Sequence, residues 1–164
     1  MSKDFTLKSN AFEDGGPIPE KYTCESQNIS PQLEWSNVPY DSEALVLIFE
    51  NFDETAQELE NSSLKNEPVI HWIITNLPPD LEELPEGAFL EEFPFASESL
   101  NDFNIIDYLG PCPRKPGKSC YKFTLFALDY PITIDGPFTS NWFKEFYKES
   151  ILGQAELICT YEKK

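Results

Sequence analysis

The chain has a single histidine, His71, set in an apolar, β-branched run, Val69-Ile-His-Trp-Ile-Ile-Thr-Asn-Leu-Pro78. Such a run predicts a buried strand, and a buried imidazole needs a hydrogen-bond partner. Held neutral by a backbone carbonyl, the ring is a core residue. Aimed into a pocket, it is a donor to an anion or a carrier of protons. The one arginine, Arg114, lies in a Pro/Gly-rich segment, Gly110-Pro-Cys-Pro-Arg-Lys-Pro-Gly-Lys-Ser-Cys-Tyr121. A strand-borne histidine and a basic loop of this kind can wall one anion pocket. Arg114, Lys115 and Lys118 read either as a solvated turn or as local positive potential beside that pocket.

The same segment offers nucleophiles. Cys112, Ser119 or Cys120 paired with His71 would make a thiol- or His-dependent hydrolase. No Gly-x-Ser-x-Gly elbow, phosphate loop or metal motif accompanies them. The four cysteines, Cys24, Cys112, Cys120 and Cys159, admit three pairings, and spacing does not choose among them. None forms a Cys-x-x-Cys, which with one histidine argues against structural zinc; no metal or cofactor is expected. A reducing cytosol would leave the thiols free and mostly buried. If any two pair, Cys120 and Cys159 are candidates, since both fall in expected strands.

The elements that must position these groups are mostly strands. Phe5–Lys8 alternates, Leu33–Trp35 is a short strand, and Ala44-Leu-Val-Leu-Ile-Phe49 is a clear one. Asp53 to Pro68 is polar and acidic, expected as a loop with a helical turn. The His71 strand follows, then an irregular acidic stretch from Pro78 to Leu109. Tyr121–Leu128 and Ala155–Tyr161 are further strands. Ser140 is expected to cap a helix whose Trp142, Phe143, Phe146, Tyr147 and Ile151 recur at helical spacing and form its buried face. The pattern predicts one mostly antiparallel β domain over residues 1–164, with a peripheral helix near the C-terminus. Long loops in so compact a chain point to function.

Composition narrows the partners. With 12 Lys and Arg against 29 Asp and Glu the net charge is −17. No Lys or Arg occurs between Lys65 and Arg114, where ten acids fall. Such a surface repels nucleic acid and anionic bilayers. No run approaches the roughly 18 apolar residues of a membrane span, and the N-terminus has no apolar signal core, so a soluble, cytoplasmic protein is expected. The sequons at Asn28 and Asn61 are then chance matches.

From about Phe5 to Tyr161 the chain resembles the phosphatidylethanolamine-binding protein family, in its bacterial and archaeal YbhB/YbcL-like, Raf-kinase-inhibitor-like branch. The resemblance rests on nine fragments in order: Ser9–Cys24, Asn28-Ile-Ser-Pro-Gln-Leu-Glu-Trp35, Val38-Pro39, Ala44–Phe49, His71–Pro78, Leu84-Pro-Glu-Gly87, Asn101-Asp-Phe103, Gly110-Pro-Cys-Pro113 and Tyr121–Asp129. It implies an antiparallel β-sandwich-like fold, with a large central sheet, a smaller sheet and a small anion pocket at one end of the large sheet. Carried over by position, the pocket would comprise His71, Asp53, Asn51, Gly110, Pro111, Cys112, Pro113, Ser119 and Tyr121. Two of these depart from the family pattern. Asn51 stands where the family has the first aspartate of an Asp-Pro-Asp segment, with Phe52 for its proline. Ser119-Cys-Tyr121 stands for a His-Arg-Tyr segment. Losing an acid removes repulsion on an anion, while losing a histidine removes a donor. Cys24 and Cys112 fit the branch; Cys120 and Cys159 do not.

The resemblance implies a non-enzymatic binding protein for phosphate-like or phosphorylated head-group ligands, a regulator or inhibitor of a kinase or protease, and a homodimer. Two other readings stand beside it: the hydrolase above, and a protein-interaction module with a decayed pocket that works through its acidic surface.

Overall fold

The structure is a computed structural model that describes residues 4–55, 68–113, 116–133 and 137–163. Its strands are β1 (Thr6–Lys8), β2 (Gly16–Pro17), β3 (Leu33–Ser36), β4 (Ala44–Thr55), β5 (Pro68–Leu77), β6 (Glu83–Leu84), β7 (Ser97–Glu98), β8 (Gly117–Leu128) and β9 (Ile151–Lys163). The one α-helix among the described residues, α1, spans Ser140–Phe146. A six-stranded sheet has the order β2-β9-β8-β4-β5-β7, and a three-stranded sheet the order β1-β3-β6. All pairings are antiparallel except β2 with β9.

The expected fold class is what the structure contains: two antiparallel sheets with a peripheral helix. Alternation on the central strands explains the layers. On β4, Leu45, Leu47 and Phe49 point into a core shared with Leu7, Leu33, Trp35 and Leu84 of the small sheet. Val46 and Ile48 point the other way, onto Phe126, Ile132 and the helix residues Phe143 and Tyr147. Strands apolar on both faces are the mark of a sheet covered on both sides. In the inter-sheet core Phe49 stacks on Phe123 with centroids 3.9 Å apart and on Tyr108 at 5.7 Å.

Several boundaries differ from expectation. Strand β4 runs on through Asp53, where a loop is expected, and β8 begins at Gly117, well before the apolar run. Ladder hydrogen bonds form whatever the side chain, so long antiparallel partners extend one another past the apolar centre. Residues 56–67, the rest of the expected loop, lie outside the described residues. The helix cap is Thr139, whose hydroxyl accepts from the Trp142 N–H at 3.0 Å; Ser140 instead donates to the buried Glu50 at 2.8 Å. The helix stops at Tyr147, and Ile151 opens β9. Its expected apolar face is only half buried: Phe143 and Tyr147 are inside, while Trp142 and Phe146 are 37% and 55% exposed.

The cysteine expectations are also corrected. Cys24 and Cys112 form a disulfide across 88 positions, with Cα atoms 5.3 Å apart. Cys120 and Cys159 are free. Tyr121 is the register partner of Cys159, and Cys120 that of Thr160. The pleat therefore sends the two thiols to opposite faces of the sheet, where no bond can form.

Candidate functional site

One end of the central sheet gathers most of the residues singled out above. On β4 Asn51 is the register partner of Tyr121 on β8, which puts both on the inter-sheet face; both are buried. His71 reaches that face through an irregularity. Phe49 pairs with Trp72 and Glu50 with Ile70, so β5 carries one extra residue, His71, against a single step of β4. A β-bulge of this kind breaks alternation and re-aims a side chain. Ile70 and Ile73 serve the helix face. Trp72 packs in the inter-sheet core, and the His71 ring lies beside it among the rings of that face, 5.6 Å from Phe49 and edge-on to Tyr121 at 5.5 Å.

The imidazole is 2% exposed, and its Nδ1–H donates to the Leu109 carbonyl at 2.9 Å. A carbonyl can only accept, so Nδ1 carries a proton. Phe103 closes the third side, 5.1 Å away and edge-on.

The loop that supplies Leu109 is itself anchored by residues that the sequence reading did not place in the site. Asn101, buried, donates from Nδ2 to the His71 carbonyl at 3.0 Å, while its Oδ1 accepts from the N–H groups of Phe103 and Ile105. Asp102 accepts from the Ile70 N–H at 2.7 Å. Asn28, held at φ 56°, accepts from the Gly110 N–H at 2.8 Å. The backbone passes so near the Tyr22 carbonyl that a Cβ on residue 110 would lie 1.8 Å from its oxygen, so only glycine fits. Tyr108 donates its hydroxyl to the same carbonyl at 2.8 Å. The fragments Asn28–Trp35 and Asn101–Phe103 were legible as family pattern; their role as braces was not.

The remaining candidates take defined places. Asp53 is exposed, and its Oδ2 accepts from the Cys120 N–H at 2.7 Å, joining the ends of β4 and β8. Its own N–H donates to Asn51 Oδ1 at 2.9 Å. Ser119, half-buried, is the register partner of Tyr161 and shares the face of Tyr121. Pro111 and Pro113 are buried on either side of Cys112. The Pro111 carbonyl accepts from the Cys24 N–H at 3.2 Å, and the Pro113 carbonyl from Lys163 Nζ at 3.0 Å. Arg114 and Lys115 lie outside the described residues, so the basic wall expected there is not placed. Lys118 is exposed.

The electrostatics do not favour a nucleophile. Cys112 is tied up in the disulfide. Partial burial pushes the Cys120 thiol up, and the Asp53 carboxylate pushes it further, against a smaller opposing pull from Lys118. A reactive cysteine needs the reverse setting, a depressed pKa in positive surroundings. Among the described residues no three His, Cys, Asp or Glu side chains are grouped to hold a metal ion. What the arrangement offers is a fixed imidazole, an amide, two hydroxyls and a braced Gly-Pro backbone: hydrogen-bonding groups suited to recognition.

Kinship agrees with this geometry. The family model described as phosphatidylethanolamine-binding protein matches residues 8–162. A UPF0098 protein of Chlamydia trachomatis is 39% identical over 157 residues, covering 96% of this chain and 98% of its own. One from Methanothermobacter thermautotrophicus is 35% identical over 161 residues with the same coverage. A solved structure of a putative phosphatidylethanolamine-binding protein homologue from Chlamydia trachomatis superposes with a TM-score of 0.84 at 38% identity, over 99% of this chain and 100% of that one. Escherichia coli YbcL, with a TM-score of 0.79 over 99% and 100% of the two chains, shares the fold at 23% identity. No helix among the described residues is long and apolar enough to cross a membrane. In fold, in sequence along nearly its whole length and in the fragments that carry the pattern, this chain belongs to the phosphatidylethanolamine-binding protein family.

Proposed function

We propose that the His71 end of the central sheet is a non-enzymatic binding site for a small anion, a phosphate or a phosphorylated head group. The observation that carries this reading is the clamp on the imidazole. Leu109 fixes the ring through Nδ1–H, on the face that also carries groups able to donate to an oxyanion: Asn51, Ser119 and Tyr121. Asn51 in place of a carboxylate removes one repulsion from a bound anion. Asp53 keeps one carboxylate at the rim, engaged by the Cys120 N–H. Buried donors of this kind favour ligands that satisfy them over those that do not.

The test is an NMR titration with inorganic phosphate and phosphoethanolamine. Saturable shifts are expected at His71, Gly110 and Tyr121, with His71→Ala weakening binding at least about tenfold, the loss of a hydrogen bond to a charged group. Absence of any shift up to millimolar ligand overturns the proposal.

A further inference from the structure

We propose that the Cys24–Cys112 disulfide couples thiol redox state to the geometry of the His71 site, and, on the anion-binding reading above, to its affinity. The bond joins the two segments that make the wall of that site. Cys24 follows the 3-10 turn Glu20–Tyr22 and precedes Asn28, which binds the Gly110 N–H. Cys112 lies three residues beyond Leu109, whose carbonyl fixes the imidazole. Between and after them stand Pro111 and Pro113. Proline fixes its own φ and restricts the residue before it, so the short path from Cys112 to Leu109 is stiff, and a shift at the sulfur is carried along it.

Both half-cystines are partly exposed, so a dithiol can reach them. The exchange balances with that reductant alone. A dithiol delivers two electrons and two protons, the Cys24–Cys112 bond breaks to two thiols, and the reductant leaves as its own disulfide. Three hydrogen bonds survive the cut: Gly110 N–H to Asn28, Cys24 N–H to the Pro111 carbonyl, and the Tyr108 hydroxyl to the Tyr22 carbonyl. They keep the loop in place while loss of the cross-link lets it move, so reduction loosens the site instead of dismantling it. Oxidised protein is the tight form, reduced protein the loose one.

The experiment compares oxidised protein with protein reduced by dithiothreitol, both in a Cys120→Ser background that prevents shuffling with the accessible free thiol. Two readings need no ligand: the exchange rate of the Gly110 amide and the imidazole signals of His71. A third is affinity for inorganic phosphate. Reduction is expected to speed Gly110 exchange about tenfold or more, to shift the His71 signals, and to weaken phosphate binding about tenfold, the loss of about one well-made hydrogen bond. Unchanged Gly110 and His71 signals overturn the proposal whatever phosphate does. Changed signals with no phosphate binding in either state support the coupling and sink the anion reading alone. Should the reduced protein lose its dispersed amide spectrum throughout, a Cys24→Ala, Cys112→Ala variant is measured. If it too is unfolded, the bond is a staple of the whole fold and the proposal falls; if it is folded, its Gly110 and His71 signals decide as above.

Discussion

Glu50 and Asn51 are neighbours on one strand, both 2% exposed, and they serve opposite faces of the central sheet. Asn51 looks into the inter-sheet layer, where loop backbone arrives from two directions and polar groups meet amides and carbonyls set out to receive them. Glu50 looks under α1, into a layer of Ile, Phe and Val, where the Ser140 hydroxyl donates to it at 2.8 Å. Burial pushes the Glu50 carboxyl up, against the weaker pull of that hydroxyl and of Lys144 and Lys122, with Glu156 adding to the rise. A covering made of loops brings backbone N–H and C=O groups to polar side chains, whereas α1 meets the sheet through Phe143, Tyr147 and the Ser140 hydroxyl. The proposed site lies on the loop face.

The contrast can be broken at three places. The largest effect is expected on the loop face, at Gly110→Ala. Its Cβ meets backbone that cannot rotate away, so a loss of about 3 kcal/mol or more is expected in urea denaturation, together with loss of the His71–Leu109 geometry. A loss under about 1 kcal/mol would mean that the loop is looser than described.

On the helix face the sign reverses. Because the folded state raises the Glu50 pKa, it favours the protonated form. That contribution is full at pH below the ordinary carboxylate range and is lost as pH rises through the raised value. Glu50→Gln keeps an acceptor for Ser140 and carries no charge. It is expected to stabilise the protein at neutral pH by about 1 kcal/mol, with the gain shrinking toward acid. Denaturation at pH 7 and pH 4 separates the two. A wild-type protein more stable than the variant at pH 7 would show that the carboxylate is well served after all, and the comparison would fail. The smallest effect is expected on the outer surface at the end of α1, where Lys148 and Glu145 pair at 3.2 Å with both side chains exposed. Lys148→Ala should cost less than about 0.5 kcal/mol by the same measurement.

How far the molecule can be read without coordinates depends on the range of the forces involved. Central strands such as Ala44–Phe49 and Tyr121–Leu128 announce themselves, because burial on both faces demands apolar residues at every position. Their polar extensions do not, since ladder pairing there depends on the partner strand and not on the side chains. The helix cap was missed by one residue: Thr139 and Ser140 are both good cap residues, and which one caps was decided by Glu50, 89 positions before Thr139 in the chain. Asn51, Asp53 and Tyr121 were named through family pattern, and the register pairs Asn51 with Tyr121. The Cys24–Cys112 bond was not found, because loop convergence leaves no periodicity to read. Nor were the braces Asn28 and Asn101, which resemble ordinary loop asparagines until the backbone they hold is known.

The extra residue in β5 has one more consequence. His71 is the residue by which β5 exceeds its partner, so the ladder on either side of it does not depend on its presence. Deleting His71 would restore a plain ladder and leave the flanking side chains where they are, since Ile70 and Ile73 already serve the helix face and Trp72 and Ile74 the inter-sheet core. Whether a ring stands beside Leu109 is thus governed by chain length as well as by residue type. A lineage could lose the histidine of this site through a single codon's deletion, with both layers of the sheet kept.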